Sequence, residues 1–527
     1  MKRRSFLAMG AATLAAPLAL PSLARAQGSR VLKFVPYVDL AILDPIVNTA
    51  SQTRTHSFLV FDTLFGIDFS YGLQPQMVAG FTQNAERTEW QLTLRDGLMF
   101  HDGTPVLARD CVASIRRWAV RDVMGQSLME ATDELSAPSD KVIKFRLKRP
   151  FRLLAEALGK IAPSPPAIMP ERLAKLDPLK PVPEMIGSGP FRFVANERVA
   201  GARVVYEKFA GYQPREGAVG FSSGPKIVNV DRVEWLTMPE AATATSALQS
   251  GEVDWVEAPP PDLLPQLRRD ANLVVETKDR TGVVPVLRFN TLIPPFDNQA
   301  LRRALLRAVD QKAFMQAFSD DTTLWEIKYG LFTPGTPMAS DTGFDRLFGP
   351  TDFARAKAEI AASGYSGQKI MIMEPTDHPV NNAMSLVAGD LFQKLGLNVE
   401  LAAMDAGTMF QRRANKGPLD KGGWNAFPSA VGGIDALDPA DAFLARGNGQ
   451  AGWYGWPTIP AFETLRDQWI AETDVAAQKH ICAQMQTVLF EQAPHLPLGH
   501  ILQQTAYRKT VTDILPGFAK FWAVRKT

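Results

Sequence analysis

The chain has 527 residues, of which 46% are hydrophobic and 21% are charged, and these ordinary globular values exclude a disordered protein. Four of its 57 basic residues and none of its 55 acidic residues lie in the first 26 positions, so the remainder is close to neutral and slightly acidic. A nucleic-acid role therefore lacks an electrostatic basis, and no later apolar stretch reaches the roughly 18 residues that a membrane span needs.

The first 26 residues have the pattern of an export signal. Basic residues 2–4 precede an apolar stretch, residues 6–20, that is too short to span a bilayer, and Ala-Arg-Ala at 24–26 fits a cleavage site. The paired arginines followed by Ser-Phe-Leu at 5–7 are typical of a twin-arginine signal, with an ordinary secretory signal as the alternative. We expect a mature chain that begins at Gln27 and is free in the periplasm, because no cysteine follows the apolar stretch to carry a lipid anchor.

Alternation and helical spacing predict α/β units in the first half of the mature chain. The predicted strands are 30–37, 90–95, 98–100, 141–147, 191–194, 202–208, 230–236 and 253–256, and the predicted helices are 108–121 and 241–249. An Asp96-Gly97 turn is predicted to join strands 90–95 and 98–100 in a hairpin. Strand–helix–strand order implies a mixed or parallel sheet.

The same signature recurs in the second half. Asn298 is a predicted helix cap, and Thr351 is predicted to cap a helix that ends at Gly364. Further predicted elements are strands at 369–373, 398–402 and 496–501 and helices at 384–395, 460–472 and 475–491. The chain therefore contains two separated α/β halves.

Standard catalytic and metal motifs are missing. The sequence has no nucleophile elbow, phosphate-binding loop, dinucleotide fingerprint or H-E-x-x-H helix, and we expect no cofactor and no metal. His495 and His500 fall in a predicted strand, and His101 with Asp102 fits a turn that Gly103 permits. Cys111 and Cys482 are the two cysteines, and a bridge between them stays open.

Tryptophan and tyrosine cluster with glycine in loops at 422–424 and 452–456. Such rings offer large rigid contact areas, and glycine lets the backbone approach a ligand, so these loops are candidates for a ligand site. The alternative is that the rings fill a core between lobes.

Ordered blocks of sequence then carry a family resemblance. They are Trp90 to Arg117 (WQLTLRDGLMFHDGTPVLARDCVASIRR), Gly187 to Phe193 (GSGPFRF), Ala247 to Glu257 (ALQSGEVDWVE) and Leu287 to Gln311 (LRFNTLIPPFDNQALRRALLRAVDQ). The chain resembles the family 5 solute-binding proteins of bacterial ABC importers, the oligopeptide, dipeptide and nickel binders, over nearly its whole mature length.

The resemblance implies an α/β, two-lobed clamshell of the type II kind with an extra subdomain in lobe 1. We place lobe 1 at 27–286 with the extra subdomain at about 50–186, lobe 2 at 287–494, and a return to lobe 1 at 495–527. The implied function is that of a monomeric periplasmic receptor. It would bind a solute between its lobes and deliver it to a membrane permease, while the ATPase subunits hydrolyse ATP.

The family's two peptide anchors are replaced in this sequence. Phe427 stands where dipeptide binders have an acid three places after the G-G-W tryptophan, and His378 stands where they have an arginine. Asp377, Asp435 or Asp438 could compensate. Because an unpaired buried charge costs several kcal/mol, we expect a small organic solute or an atypical peptide.

The predicted ligand-binding residues follow from these loops and from the resemblance. They are Trp424, Asn425, Phe427, His378, Tyr37 and Arg121. Two other readings stay open: a secreted hydrolase, for which no catalytic constellation is found, and a ligand sensor that docks on a membrane receptor.

Overall fold

Three large β-sheets with surrounding helices make up the computed structural model, which describes residues 30–344, 352–440 and 442–527. The predicted export signal and Thr351 lie outside the described residues. The strands are β1 (Val31–Val35), β2 (Phe65–Ile67), β3 (Leu73–Pro75), β4 (Val78–Gln83), β5 (Glu89–Leu94), β6 (Thr132–Ser136), β7 (Val142–Leu147), β8 (Phe191–Phe193), β9 (Arg203–Lys208), β10 (Arg232–Leu236), β11 (Trp255–Val256), β12 (Leu273–Glu276), β13 (Val283–Phe289), β14 (Trp325–Glu326), β15 (Ile370–Pro375), β16 (Val399–Met404), β17 (Ala426–Gly432), β18 (His495–Pro497), β19 (His500–Ile501), β20 (Thr505–Arg508), β21 (Val511–Thr512) and β22 (Arg525–Lys526). The α-helices are α1 (Ser51–Val60), α2 (Ala108–Ala119), α3 (Val123–Ala131), α4 (Leu154–Ala157), α5 (Glu171–Ala174), α6 (Ala241–Ser250), α7 (Leu264–Arg269), α8 (Gln299–Arg307), α9 (Gln311–Phe318), α10 (Phe353–Ala362), α11 (Pro379–Lys394), α12 (Ala406–Arg412), α13 (Pro460–Ala471) and α14 (Val475–Gln492).

The first sheet has the strand order β12-β20-β11-β1-β10-β9-β8, and we call the part built on it lobe 1. Strand β1 pairs in parallel with β10 on one side and β11 on the other. Helix α6 connects β10 to β11, which is the strand–helix–strand unit that the sequence predicts. Because parallel strands end at the same edge of a sheet, the carboxyl ends of β1, β10 and β11 lie side by side.

The second sheet has the order β14-β19-β13-β17-β15-β16, with β18 also paired to β13, and we call the part built on it lobe 2. The chain enters this sheet at Val283 and leaves it after Ile501. The segments 283–286 and 495–501, which the sequence assigned to lobe 1, therefore pair within lobe 2. The reason is that β18 and β19 hydrogen-bond to β13, a long-range pairing that the local pattern of such short strands does not reveal.

The third sheet, β4-β5-β7-β6, falls within the span where the sequence places an extra subdomain. The predicted hairpin across Asp96-Gly97 is wrong, although Gly97 does turn the chain with a φ of +74°. Strand β5 pairs with β4 on one edge and β7 on the other, so no edge is left for residues 98–100. Met99 instead forms an isolated bridge with Pro105.

Several predicted helices are confirmed. Helices α2, α6, α13 and α14 match their predicted spans to within two residues, and Asn298 caps α8 by accepting hydrogen bonds from the backbone N–H groups of Ala300 and Leu301. Helix α11 begins at Pro379, five residues before its predicted start, because proline fits the first helical position. Helix α1 was not predicted, since most of its residues are polar although they are buried.

The interior is divided mainly between two apolar clusters. One combines lobe 1 and the third sheet with facing side chains of α13 and α14, and the other fills most of lobe 2. Cys111 in α2 and Cys482 in α14 are both buried free thiols. Among the described residues, no helix combines the length and apolarity that crossing a membrane requires.

Candidate functional site

The two lobes meet at the carboxyl ends of their parallel strands. In lobe 1, Tyr37 follows β1 and Glu257 follows β11; in lobe 2, His378 follows β15 and Asp435 follows β17. Residues at this edge of an open α/β sheet lie outside the strands, where ligands of such folds bind. We call the region where these four residues meet the lobe junction.

An aromatic pair crosses the lobe junction. The rings of Tyr37 and His378 have centroids 5.7 Å apart and are nearly perpendicular. The Tyr37 hydroxyl is buried beside the Val380 backbone at the start of α11, and burial raises the pKa of this phenol. Burial also lowers the pKa of His378, so its ring is held neutral, and its Nδ1 accepts a long hydrogen bond from the Asn381 N–H at the start of α11.

A buried ion pair is the second bridge between the lobes. The Arg54 Nη1 of α1 lies 2.8 Å from the Asp435 Oδ1, and the two side chains are 4% and 6% exposed. The Arg54 guanidinium also stacks 4.8 Å above the Phe518 ring, while its Nε has no hydrogen-bond partner. A side chain at Gly432 would lie 3.3 Å from the Asp435 carboxylate, so glycine leaves room for this approach.

Next to this ion pair, an apolar contact ties the end of β17 to lobe 1. Ile434 is fully buried in a cluster with aromatic and aliphatic side chains of lobe 1, namely Phe58, Ile161, Phe221, Phe518 and Trp522. Ile434 and Asp435 thus insert together, one into an apolar pocket and the other onto a cation. The segment 433–436 is therefore shared by both lobes.

Lobe 1 presents a second cation beside the same aromatic rings. The Lys520 Nζ lies 3.4 Å from the Phe221 ring centroid and donates a hydrogen bond to the Pro516 carbonyl. Burial lowers the pKa of Lys520 to about 7, an effect that the nearby Asp279 carboxylate opposes. Asp279 is itself fixed by hydrogen bonds from the Thr281 N–H and hydroxyl.

The predicted residues of lobe 2 are mostly internal. Trp424 and Phe427 are fully buried, with ring centroids 4.8 Å apart, in a cluster with methionines and Trp456. Asn425 is buried as well, and its side chain joins the Met371 N–H to the Pro294 carbonyl. These three side chains form the interior that supports the lobe 2 side of the junction.

Of the six predicted residues, the structure brings Tyr37 and His378 together at the junction. Arg121 is exposed after α2, a helix that packs on the third sheet, and it has no contact with the other five. Sequence reasoning missed Arg54, Glu257 and Lys520 as candidates. The sequence carries a signal for Glu257 alone, because this residue directly follows a predicted parallel strand, and ligands bind at the ends of such strands.

No group of three or more His, Cys, Asp or Glu side chains in the described ranges could hold a metal ion. A separate apolar cleft of about 450 Å³ lies in lobe 1, with residues 41–44 and 181–186 along its walls. Its polar lining is sparse, and Asp44 there is already paired with Arg117 at 3.0 Å. The lobe junction is the place where unpaired polar atoms and charged groups of both lobes converge.

Two α/β lobes whose strand ends face each other across charged and aromatic groups define a two-lobed solute-binding protein. The model of the bacterial extracellular solute-binding proteins, family 5, matches residues 72–454. The chain belongs to this family.

Similar proteins agree with that membership. A probable peptide ABC transporter periplasmic-binding protein of Sinorhizobium fredii is 35% identical over 535 residues, which cover 100% of this chain and 99% of the relative. Among solved structures, DppA of Helicobacter pylori in complex with the peptide STSA has a TM-score of 0.79 at 19% identity, covering 94% of this chain and 98% of its own. The binding protein AgaA of A. tumefaciens R10 in complex with agropinic acid has a TM-score of 0.77 at 20% identity, covering 94% and 99%.

Proposed function

We propose that this protein is the periplasmic substrate-binding component of an ABC importer. It captures a peptide or another small organic solute between its two lobes and delivers it to a membrane permease, whose ATPase subunits supply the energy. The observation that carries this proposal is the lobe junction, where Tyr37 and Arg54 of lobe 1 meet His378 and Asp435 of lobe 2. The S. fredii relative, described as a peptide transporter's binding protein, supports it.

A ligand that touches both lobes binds their closed arrangement better than the open one and therefore shifts the population toward closure. The permease would recognise that closed shape. In this account the protein binds its solute without altering it, so it is a receptor and no enzyme. It acts as a monomer that is exported by the twin-arginine route, is released by cleavage before Gln27 and carries no lipid anchor.

We also propose the division of the chain among these parts. Lobe 1 comprises residues 27–282 and 502–527, lobe 2 comprises 283–501, and the subdomain around the third sheet extends over about 50–186. The passages near 277–282 and 502–504, where the chain changes sheets, are the proposed hinge.

Thermal unfolding of residues 27–527 against a panel of compounds tests the proposed function. The panel contains di- and tripeptides, agropinic acid and other opines, free amino acids, sugars, nickel chelates and aromatic acids. A compound present at 100 times its dissociation constant stabilises the fold by about 2.7 kcal/mol, which gives a readable rise in the midpoint. If no compound shifts the midpoint and chromogenic ester, amide or phosphate substrates are turned over, the proposed function is wrong.

A further inference from the structure

Glu257 is a carboxylate at the lobe junction, directly after the central strand β11. Its Oε2 accepts a hydrogen bond of 2.8 Å from the Tyr37 N–H, and the Gln52 side chain also favours its charged form. These contacts fix the carboxylate beside β1, on the edge of lobe 1 that faces lobe 2. The position is therefore both oriented and adjacent to the aromatic pair of Tyr37 and His378.

In the described part of the chain, Glu257 has no Lys, Arg or His within ion-pair distance. The cation that acts on it is Arg54, but the Arg54 guanidinium is paired with Asp435 of lobe 2 at 2.8 Å. The other charge acting on it is the carboxylate of Asp279, which has the same sign. Burial raises the pKa of Glu257, because a carboxylate removed from water without a cation is costly.

A purely structural role does not require this charge. The Tyr37 N–H needs an acceptor, and a glutamine at position 257 would supply one without the cost of burying a charge. One polar atom nearby, the Arg54 Nε, is also buried without a partner. Two groups of lobe 1 at the junction, the Glu257 carboxylate and the Arg54 Nε, thus have unused capacity for a ligand.

We propose that Glu257 binds a cationic nitrogen of the solute, so that lobe 1 supplies the acidic anchor and the ligand is a compound with an ammonium or similar group. This inference rests on the proposed function and deepens it. The aromatic faces of Tyr37 and His378 beside Glu257 suit a cation as well.

Matched probes test the anchor. For each peptide or amine that raises the thermal midpoint, the free-amine form and its N-acetylated form are titrated calorimetrically into wild type, Glu257→Gln and the control Glu252→Gln, which alters an exposed acid five residues away. In wild type and in the control, N-acetylation weakens binding by about 10- to 100-fold, as expected for a hydrogen-bonded charge. In Glu257→Gln the free amine loses a similar factor, while the acetylated form binds as before.

The affinity for a free amine also depends on pH in a defined direction. A bound ammonium favours the charged carboxylate, so binding releases the proton from any Glu257 that is protonated beforehand, and affinity falls as the pH drops through its raised pKa. The charged and polar groups that face Glu257 are Arg54, Asp279, Gln52 and both the N–H and the phenol of Tyr37. The Glu257→Gln variant flattens this pH dependence.

The outcomes separate the two proposals. Equal affinity of wild type for the free and acetylated probes overturns the anchor and leaves the proposed function intact. The same holds if the ratio of these two affinities is unchanged in Glu257→Gln, or if the compounds that bind lack a cationic nitrogen. A panel in which nothing binds contradicts the proposed function and the anchor that rests on it. If Glu257→Gln fails to fold, Glu257→Asp keeps the charge and must retain the preference for the free amine.

Discussion

At the scale of single residues, the lobe junction contains a buried ion pair whose two members lie on opposite lobes. Arg54 and Asp435 are almost completely buried and 381 positions apart, so neither has a local reason to be there. A buried pair costs desolvation and is stabilising only while both members are present. Its removal is therefore a sensitive probe of how the lobes are held together.

Replacing Asp435 with alanine leaves the Arg54 guanidinium buried without its carboxylate. We expect the free energy of unfolding to fall by about 3–5 kcal/mol, measured by chemical denaturation. The control is Asp390→Ala, which breaks an exposed ion pair with Lys394 and should change the stability by at most about 0.5 kcal/mol.

The double variant Arg54→Met with Asp435→Leu completes this test. Because it removes both charges and leaves apolar groups of similar size, it should recover most of the lost stability. An Asp435→Ala protein as stable as wild type would contradict the ion pair that links the lobes.

The residue scale is also where the sequence was least informative about the site. Trp424 and Phe427 were chosen because aromatic rings beside glycine suit a ligand pocket, but the same rings suit an interior, and the structure places them there. Arg54 was overlooked because a polar residue in a polar segment suggests the surface. Whether such a residue is exposed depends on what packs over it, which here is Phe518 of lobe 1 and Asp435 of lobe 2.

At the scale of elements, prediction succeeded where one local pattern decides the structure. Helix α2 and strand β7 were found from spacing and alternation alone, and their bounds differ from the prediction by at most two residues. Prediction failed for the hairpin after β5, since strand pairing is decided by which distant strands compete for an edge. It failed for α1 because nine of its ten residues, mostly polar, are buried by tertiary contacts.

The cap of α8 is an element whose contribution can be isolated. The Asn298 side chain accepts hydrogen bonds from the helix start and donates one of 2.7 Å to the Ser363 carbonyl after α10. Asn298→Ala should lower the free energy of unfolding by about 1–2 kcal/mol, because it removes a cap at a helix that packs in the lobe 2 interior.

Asn298→Asp is the matched variant for that measurement. It keeps the capping oxygen and loses the donor to Ser363, so we expect a smaller loss than with alanine. If both variants unfold at the same denaturant concentration as wild type, the cap does not stabilise this helix.

At the scale of the whole molecule, buried neutral histidines couple the fold to pH. Burial lowers the pKa of His56 and of His495 to about 3 and that of His101 to about 4. The unfolded chain binds protons at these sites below about pH 6.5, whereas the folded chain does not until far lower pH. Stability is therefore complete above about pH 6.5 and declines as the pH falls toward 4.

Over that interval, each such histidine should lower the free energy of unfolding by about 1.4 kcal/mol for each unit that the pH falls. The variant His56→Gln removes one of them, so the decline in the free energy of unfolding between pH 6 and pH 4 should become shallower by that amount. The control is His480→Asn on the exposed side of α14. An identical slope for His56→Gln and wild type would contradict the neutral buried state of His56.

The central claim is that one solute is held by both lobes at the ends of their parallel strands. Hydrogen–deuterium exchange of the mature protein, with and without the compound that raises the thermal midpoint most, locates the site directly. We predict simultaneous protection at residues 37–39 and 257–258 of lobe 1 and at 378–381 and 429–433 of lobe 2. Protection confined to one lobe, or to the apolar cleft at residues 41–44 and 181–186, would contradict the account.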